Sequence, residues 1–196
     1  MRYKAVVMGV SAGGLEALRI ILADLPQEFG LPIAIVQHRG ASADSFLAEY
    51  LDKICALTVL EAEDKMPMEA GHVYLAPAGY HLLIEPDASF SLSLDERVNY
   101  SCPAIDVLFE SAADVFEGAL IGVVLTGANA DGALGLKKIK AQGGFSIVQN
   151  PATALASAMP AAAIAATQAD FVGELAQIGT KLAQLSKEEV SHGTGS

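Results

Sequence analysis

Positive charge is scarce in this sequence. Twelve lysines and arginines stand against 23 aspartates and glutamates, a formal net charge of −11. A protein that follows a phosphate backbone or lies on an anionic bilayer needs clustered cations, so no nucleic acid and no membrane insertion are expected. The small basic groups, such as Lys137, Lys138 and Lys140, are spaced as the solvated face of a helix. Cysteine is scarcer still. Cys55 and Cys102 are too few for a disulfide framework, and neither has a Cys or His neighbour at ligand spacing, which speaks against a metal knuckle. No apolar run approaches the ~20 residues of a membrane-spanning helix; the most tempting, Ala161 to Ala166, is short and follows Pro160. Met1-Arg2-Tyr3-Lys4 leads straight into an apolar run without the long hydrophobic core and cleavage site of a signal peptide. A cytoplasmic location is expected.

What is present is a globular composition, 52% hydrophobic and 18% charged over 196 residues, enough for one sizeable core. Short apolar runs alternate with amphipathic ones. Ala5-Val6-Val7-Met8, Pro32 to Gln37, Thr58-Val59-Leu60, Leu120 to Leu125 and Phe145 to Val148 read as strands, with Phe171-Val172 as a last short extended piece. Leu15 to Leu22, about Asp44 to Lys53 (starting at Ala43 to Ser45), Pro103 to Phe116, Gly132 to Ala141, the Ala-rich stretches 152–158 and 160–166, and Glu174 to Ser186 read as helices. In the middle, His72 to Ala76, His81 to Ile84 and Phe90 to Leu94 are short strands joined by turns, which predicts an antiparallel patch at or beside the sheet edge. The predicted fold class is therefore α/β: a doubly wound, mostly parallel sheet with helices on both faces and a small antiparallel β patch. One domain spans residues 3–187, and the tail 188–196, without core residues, is expected to be disordered.

The chemistry concentrates at predicted strand ends. Gly9-Val10-Ser11-Ala12-Gly13-Gly14 follows the first strand and precedes the first helix. Gly-x-Ser-x-Gly there is the pattern of a nucleophile elbow, and a packing turn or phosphate loop can look the same. The phosphate readings fail on residues. A dinucleotide fingerprint needs glycine where Ser11 stands and an acid where Gln37-His38 end the second strand, and no Gly-Lys-Ser/Thr occurs. In open α/β sheets function gathers at carboxyl ends of strands, and three such ends carry Ser11, His38 and Asp131. A serine hydroxyl needs a base, and the base needs a carboxylate to fix its tautomer. Each has a structural alternative: Ser11 as a helix cap, His38 as a satisfied strand-end histidine, Asp131 as the N-cap of the next helix. Their joint occurrence favours nucleophilic acyl transfer. The order Ser, His, Asp differs from the Ser, Asp/Glu, His order of α/β-hydrolases. His72 and His81 are assigned to the β patch and His192 to the tail.

Six segments in this order, Gly9 to Gly14, Gln37-His38, Tyr74 to Leu82, Pro103 to Phe109, Leu125 to Gly132 and Ser157 to Pro160, resemble the catalytic domain of CheB-type chemotaxis protein-glutamate methylesterases. The resemblance runs from about Lys4 to Leu185. It implies hydrolysis of γ-glutamyl methyl esters on methyl-accepting chemotaxis receptors, with deamidation of certain glutamines as a second activity. It further implies Ser11 as nucleophile, His38 as general base and acid, Asp131 as its orienting carboxylate, and the backbone amides of Ala12 and Ala128 as oxyanion donors. No metal and no cofactor are implied. The family's usual receiver domain has no counterpart here, so a regulatory partner, or a receiver domain lost from the chain, is expected. The sequence departs from the family at Ala12 (usually Thr), Ala128-Asn129 (usually Met-Gly), Cys102 (usually Arg) and the segment Arg39 to Asp44. These positions face the expected groove and bear on the substrate more than on the reaction. Arg39 and Arg97 are the candidates for positive charge at the mouth. Two rivals stand beside this reading: a non-catalytic signalling or adaptor module of the same fold, and an esterase or amidase on another substrate.

Overall fold

The computed structural model describes residues 2–38 and 46–188. Seven strands form one parallel sheet in the order β3-β4-β2-β1-β7-β8-β9. They are β1 (Ala5–Val10), β2 (Ile33–Gln37), β3 (Thr58–Glu61), β4 (His72–Leu75), β7 (Leu120–Val124), β8 (Phe145–Gln149) and β9 (Phe171–Gly173). A separate antiparallel hairpin is formed by β5 (His81–Ile84) and β6 (Phe90–Ser93). The helices are α1 (Gly14–Ala23), α2 (Phe46–Asp52), α3 (Ile105–Phe116), α4 (Ala133–Ala141), α5 (Ala158–Ala166) and α6 (Leu175–Leu185).

The central strands are apolar because both their faces are covered. Every residue of β1 is buried. Strand periodicity sends Val6, Met8 and Val10 into a core with α1 and α6, through Leu18, Ile21, Ile178 and Leu182. Ala5 and Val7 enter the opposite core, with Ile105, Leu108 and Phe109 of α3, Leu136 and Ile139 of α4, and Met159 of α5. The chain winds outward from β1 to β2 on one side and from β7 through β8 to β9 on the other. The order therefore reverses between β1 and β7, and this topological switch point is where a doubly wound sheet opens a crevice.

Two expectations from the sequence shift. His72–Leu75 belongs to the main parallel sheet, paired with both β2 and β3, and only β5 and β6 make the antiparallel patch. The physical reason is burial: Val73, Tyr74 and Leu75 are covered on both faces, as a central strand must be. The Ala-rich stretch 152–158 is not a helix. Only a 3-10 turn forms at Pro151–Thr153, and α5 starts at Ala158. Its backbone is committed elsewhere. Gln149 Nε2 donates to Thr153 O, Ala156 N donates to Thr126 Oγ1, and Gly127 N donates to Ala156 O. The predicted start of the second helix, Ala43 to Ser45, the segment Arg39 to Asp44, and residues 189–196 of the tail lie outside the described residues. Glu188, at the start of that tail, accepts the Arg2 amide through its carbonyl at 2.7 Å.

Phe109 is fully buried between α3 and the sheet. Phe109→Ala should lower unfolding stability by about 3–5 kcal/mol, read as a shifted urea midpoint at unchanged slope.

Candidate active site

Register brings the strand-end residues together. Val10 pairs with Gln37, so Ser11 and His38 stand side by side one residue beyond the paired strands, and His38 N donates to Val10 O at 3.0 Å. Ser11 N continues the β1–β7 ladder by donating to Thr126 O at 2.9 Å. Asp131 follows β7 in the same crevice.

His38 and Asp131 are in direct contact. His38 Nε2 lies 2.7 Å from Asp131 Oδ2, with Asp131 wholly buried and the imidazole only 12% exposed. Because Nε2 faces the carboxylate, Nδ1 is the nitrogen left for a reacting hydroxyl. Among the described residues Ser11 Oγ makes no hydrogen bond. Apo catalytic contacts are commonly long, and they tighten when substrate binds.

Asp131 does not cap the helix that follows it; Gly132 holds that position without a side-chain bond. Its carboxylate instead caps the neighbouring helix α3, on the same face of the sheet. The Ile105 amide donates to Oδ2 at 2.7 Å and the Asp106 amide to Oδ1 at 3.1 Å, the first two amides of α3. Asn99 Nδ2 adds a bond to Oδ1 at 3.0 Å. Burial pushes the Asp131 pKa up, but His38, the two helix amides and Asn99 together outweigh burial and hold it below the ordinary carboxylate value. The neighbouring Asp106, itself 4% exposed, goes the other way. Burial comes first and the charge of Asp131 adds to it, against bonds from Gly135 N and Asn99.

The turn around Ser11 is built by glycines and a glutamine. Gly13 sits at φ +82°, a conformation that favours glycine, and a Cβ on Gly14 would overlap Gln37 Oε1. Gln37 Nε2 donates to both Ser11 O and His38 O at 3.0 Å, joining the two strand ends through their carbonyls. Ser11 caps nothing: Gly13 occupies the N-cap of α1 without a side-chain bond. The Ala12 and Ala128 amides make no hydrogen bond among the described residues. They lie on the turns that follow β1 and β7, the two strands that flank the switch point. Beside Ser11 a cleft of about 490 Å3 is walled by Leu15, Gln37, Tyr50 and the Glu16–Arg19 ion pair.

The other sequence candidates fall elsewhere. Arg97 is exposed on the loop before α3, and Arg39 lies outside the described residues. His72 is at the start of β4; His81 is buried in β5 with both ring nitrogens bonded to backbone. Cys55 is raised to about 11 by burial, with Asp52 adding to it, and Cys102 is raised by its burial, so both stay thiols rather than nucleophilic thiolates. No group of three or more His, Cys, Asp or Glu side chains among the described residues is placed to hold a metal ion. No helix among them is long and apolar enough to cross a membrane. Sequence reasoning missed Asn99 and Asp106 as partners of Asp131, although Asp106 lay inside a motif it had singled out.

The fold and site define a doubly wound α/β protein with a buried carboxylate–imidazole pair and a glycine-turn serine at its switch point. The family description CheB methylesterase matches residues 6–182. A relative from Leptospira interrogans, provisionally named a protein-glutamate methylesterase/protein-glutamine glutaminase, is 52% identical over 97% of this chain and 98% of its own length. The protein-glutamate methylesterase FrzG of Myxococcus xanthus is 38% identical over 93% of this chain, which spans 54% of that longer protein. The crystal structure of the Thermotoga maritima CheB methylesterase catalytic domain superposes with a TM-score of 0.90 at 36% identity, covering 93% of this chain and 98% of that one. The chain belongs to the CheB methylesterase family and is a methylesterase-class enzyme.

The low pKa of Asp131 sets a pH signature. A carboxylate depressed in the folded state adds stability that is present above its unfolded pKa, ~3.9, and is lost as pH falls through the folded value. Asp131→Asn should therefore be less stable than the parent at pH 7, and the gap should close below about pH 4, measured by urea unfolding across pH.

Proposed function

We propose that this protein hydrolyses γ-glutamyl methyl esters on methyl-accepting chemotaxis receptors in the cytoplasm, releasing methanol, with Ser11, His38 and Asp131 as its catalytic triad. The observation that carries this reading is the 2.7 Å His38–Asp131 contact beside the glycine turn that presents Ser11. Membership of the methylesterase family supports the ester-hydrolysing chemistry.

Asp131, ionised and saturated with donors, keeps the proton of His38 on Nε2 and leaves Nδ1 as the base. Ser11 Oγ attacks the ester carbonyl carbon while its proton passes to Nδ1. The carbonyl oxygen becomes an oxyanion and takes hydrogen bonds from the Ala12 and Ala128 amides. Asp131 stabilises the imidazolium that forms. The tetrahedral intermediate collapses, the C–O bond to methoxide breaks, and the Nδ1 proton leaves with it as methanol. Water then attacks the glutamyl-serine ester with His38 again as base. The products are the free glutamate side chain and the original hydroxyl of Ser11. The same sequence on a glutamine amide expels ammonia, which is the deamidase reaction.

Ser11→Ala should reduce methanol release from methylated receptor by about a millionfold while leaving the melting temperature within a few degrees. The parent should react with a fluorophosphonate probe at Ser11 and the variant should not. Undiminished release by the variant would sink the assignment. A parent that does not label points to the non-catalytic adaptor, and one that labels without releasing methanol from receptor points to another acyl substrate.

A further inference from the structure

The loop between β6 and α3 has no role in the mechanism above, yet it reaches the most buried member of the site. At its tip Asn99 sits at φ +51° and Tyr100 at φ +63°, two consecutive non-glycine residues in the left-handed region. Such a conformation is costly unless something holds it. Backbone bonds close this turn, Ser101 N donating to Val98 O at 2.9 Å and Val98 N to Ser101 O at 3.2 Å, and Asn99 Nδ2 ties the closed turn to the site. The one amide nitrogen donates to Asp106 Oδ2 at 2.9 Å and to Asp131 Oδ1 at 3.0 Å, so a neutral NH2 group bridges two carboxylates.

The base of the loop is clipped as well. Ala104 N donates to His81 Nδ1 at 3.2 Å, which places the ring proton on Nε2, and Nε2 donates to Glu96 O at 3.1 Å. One buried imidazole thereby joins the two ends of an arch whose tip reaches Asp131. The residue after Ala104 is Ile105, whose amide is itself a donor to Asp131. Among the described residues no lysine or arginine pairs with Asp131 or Asp106. The groups facing the pair are His38 on Asp131 and Glu110 on Asp106, and the remaining compensation comes from amides of α3, Gly135 and Asn99.

We infer that Asn99 is a positioning residue for the general base: its amide bridges Asp131 and Asp106, holds Asp131 against His38 Nε2, and is delivered there by an arch that His81 closes. The inference rests on the triad reading above. Asn99 is suited to this because it donates to both carboxylates without adding charge. A lysine in its place would form a full ion pair with Asp131 and weaken its hold on the imidazolium; an aspartate would set three carboxylates together.

The side chain of Asn99 lies on a solvent-exposed loop, so removing it admits water rather than opening a void. Asn99→Ala should therefore melt within a few degrees of the parent, yet react with a fluorophosphonate about tenfold more slowly. Its acid limb should also move to higher pH, because an Asp131 that loses a donor attracts the imidazolium more strongly. Asn99→Asp, equal in shape but with an acceptor replacing the donor, should react more slowly still at pH 8. The probe reads Ser11 reactivity without any receptor. A parent that fails to label overturns the triad reading itself. Labelling of the parent with equal rates and equal acid limbs in both variants overturns the role of Asn99, as does a lowered melting temperature with the rate unchanged.

Discussion

A buried carboxylate with no lysine or arginine beside it among the described residues is the constraint that the rest of the site answers to. Taking an isolated carboxylate out of water costs several kcal/mol or more unless donors replace the lost hydration. Asp131 recovers that from four donors on three different segments: the imidazole of His38, the first two amides of α3, and the Asn99 amide of the loop. Each donor is thereby fixed in place by the charge it satisfies. The N-terminus of α3 is pinned to the crevice, the loop before it is anchored, and the His38 ring is held in one orientation. A neutral residue at position 131 would leave the same backbone with far less reason to converge.

The carbonyl side of the crevice is organised by two glutamines in matching places. Gln37 ends β2 and binds the turn that leaves its neighbour β1; Gln149 ends β8 and accepts the Thr126 amide where its neighbour β7 ends. Thr126 completes the link, donating its hydroxyl to Ala12 O at 2.7 Å and accepting the amide of Ala156. Strand ends have backbone groups that no ladder satisfies, and at a crevice these cannot all be given to water. Long amide side chains from the flanking strands satisfy them, and in doing so lock the two loops on either side of the switch point to each other.

The sequence carried the fold well where periodicity and burial agree. Alternating apolar runs and helical stripes located the strands and helices, and the strand-end rule drew Ser11, His38 and Asp131 into one crevice. It carried less where tertiary hydrogen bonds override local pattern. The alanines of 152–158 favour helix, but their amides and carbonyls are spent on Thr126 and Gln149, which no local window reveals. His72–Leu75 reads as part of the antiparallel patch because short turns link it to the two strands that follow, whereas its actual partners are β2 and β3, which precede it. The capping of α3 by Asp131 joins residues 26 apart, and a carboxylate preceding a helix looks like that helix's own cap until the partner is seen. Asn99 had no signature at all, because its importance lies in two carboxylates that only the folded chain brings together.

The departures at Ala12 and Ala128 take on a definite meaning once peptide planarity is considered. The Ala12 amide shares a rigid trans plane with the Ser11 carbonyl, so whatever fixes that carbonyl aims the amide the opposite way. Gln37 Nε2 and Gly14 N both donate to Ser11 O. The Ala128 amide shares its plane with the Gly127 carbonyl, which accepts the Met159 amide at 2.9 Å. On the proposed mechanism, both oxyanion donors are thus aimed from behind by bonds that involve neither alanine side chain. Changing a threonine or a methionine to alanine at these positions trims the surface of the groove while leaving the donors oriented. On that mechanism a smaller side chain at both points widens the space around the acyl group and bears on which ester is accommodated, while the Ala12 and Ala128 amides keep the oxyanion contacts and Gln37, Gly14 and Met159 aim them.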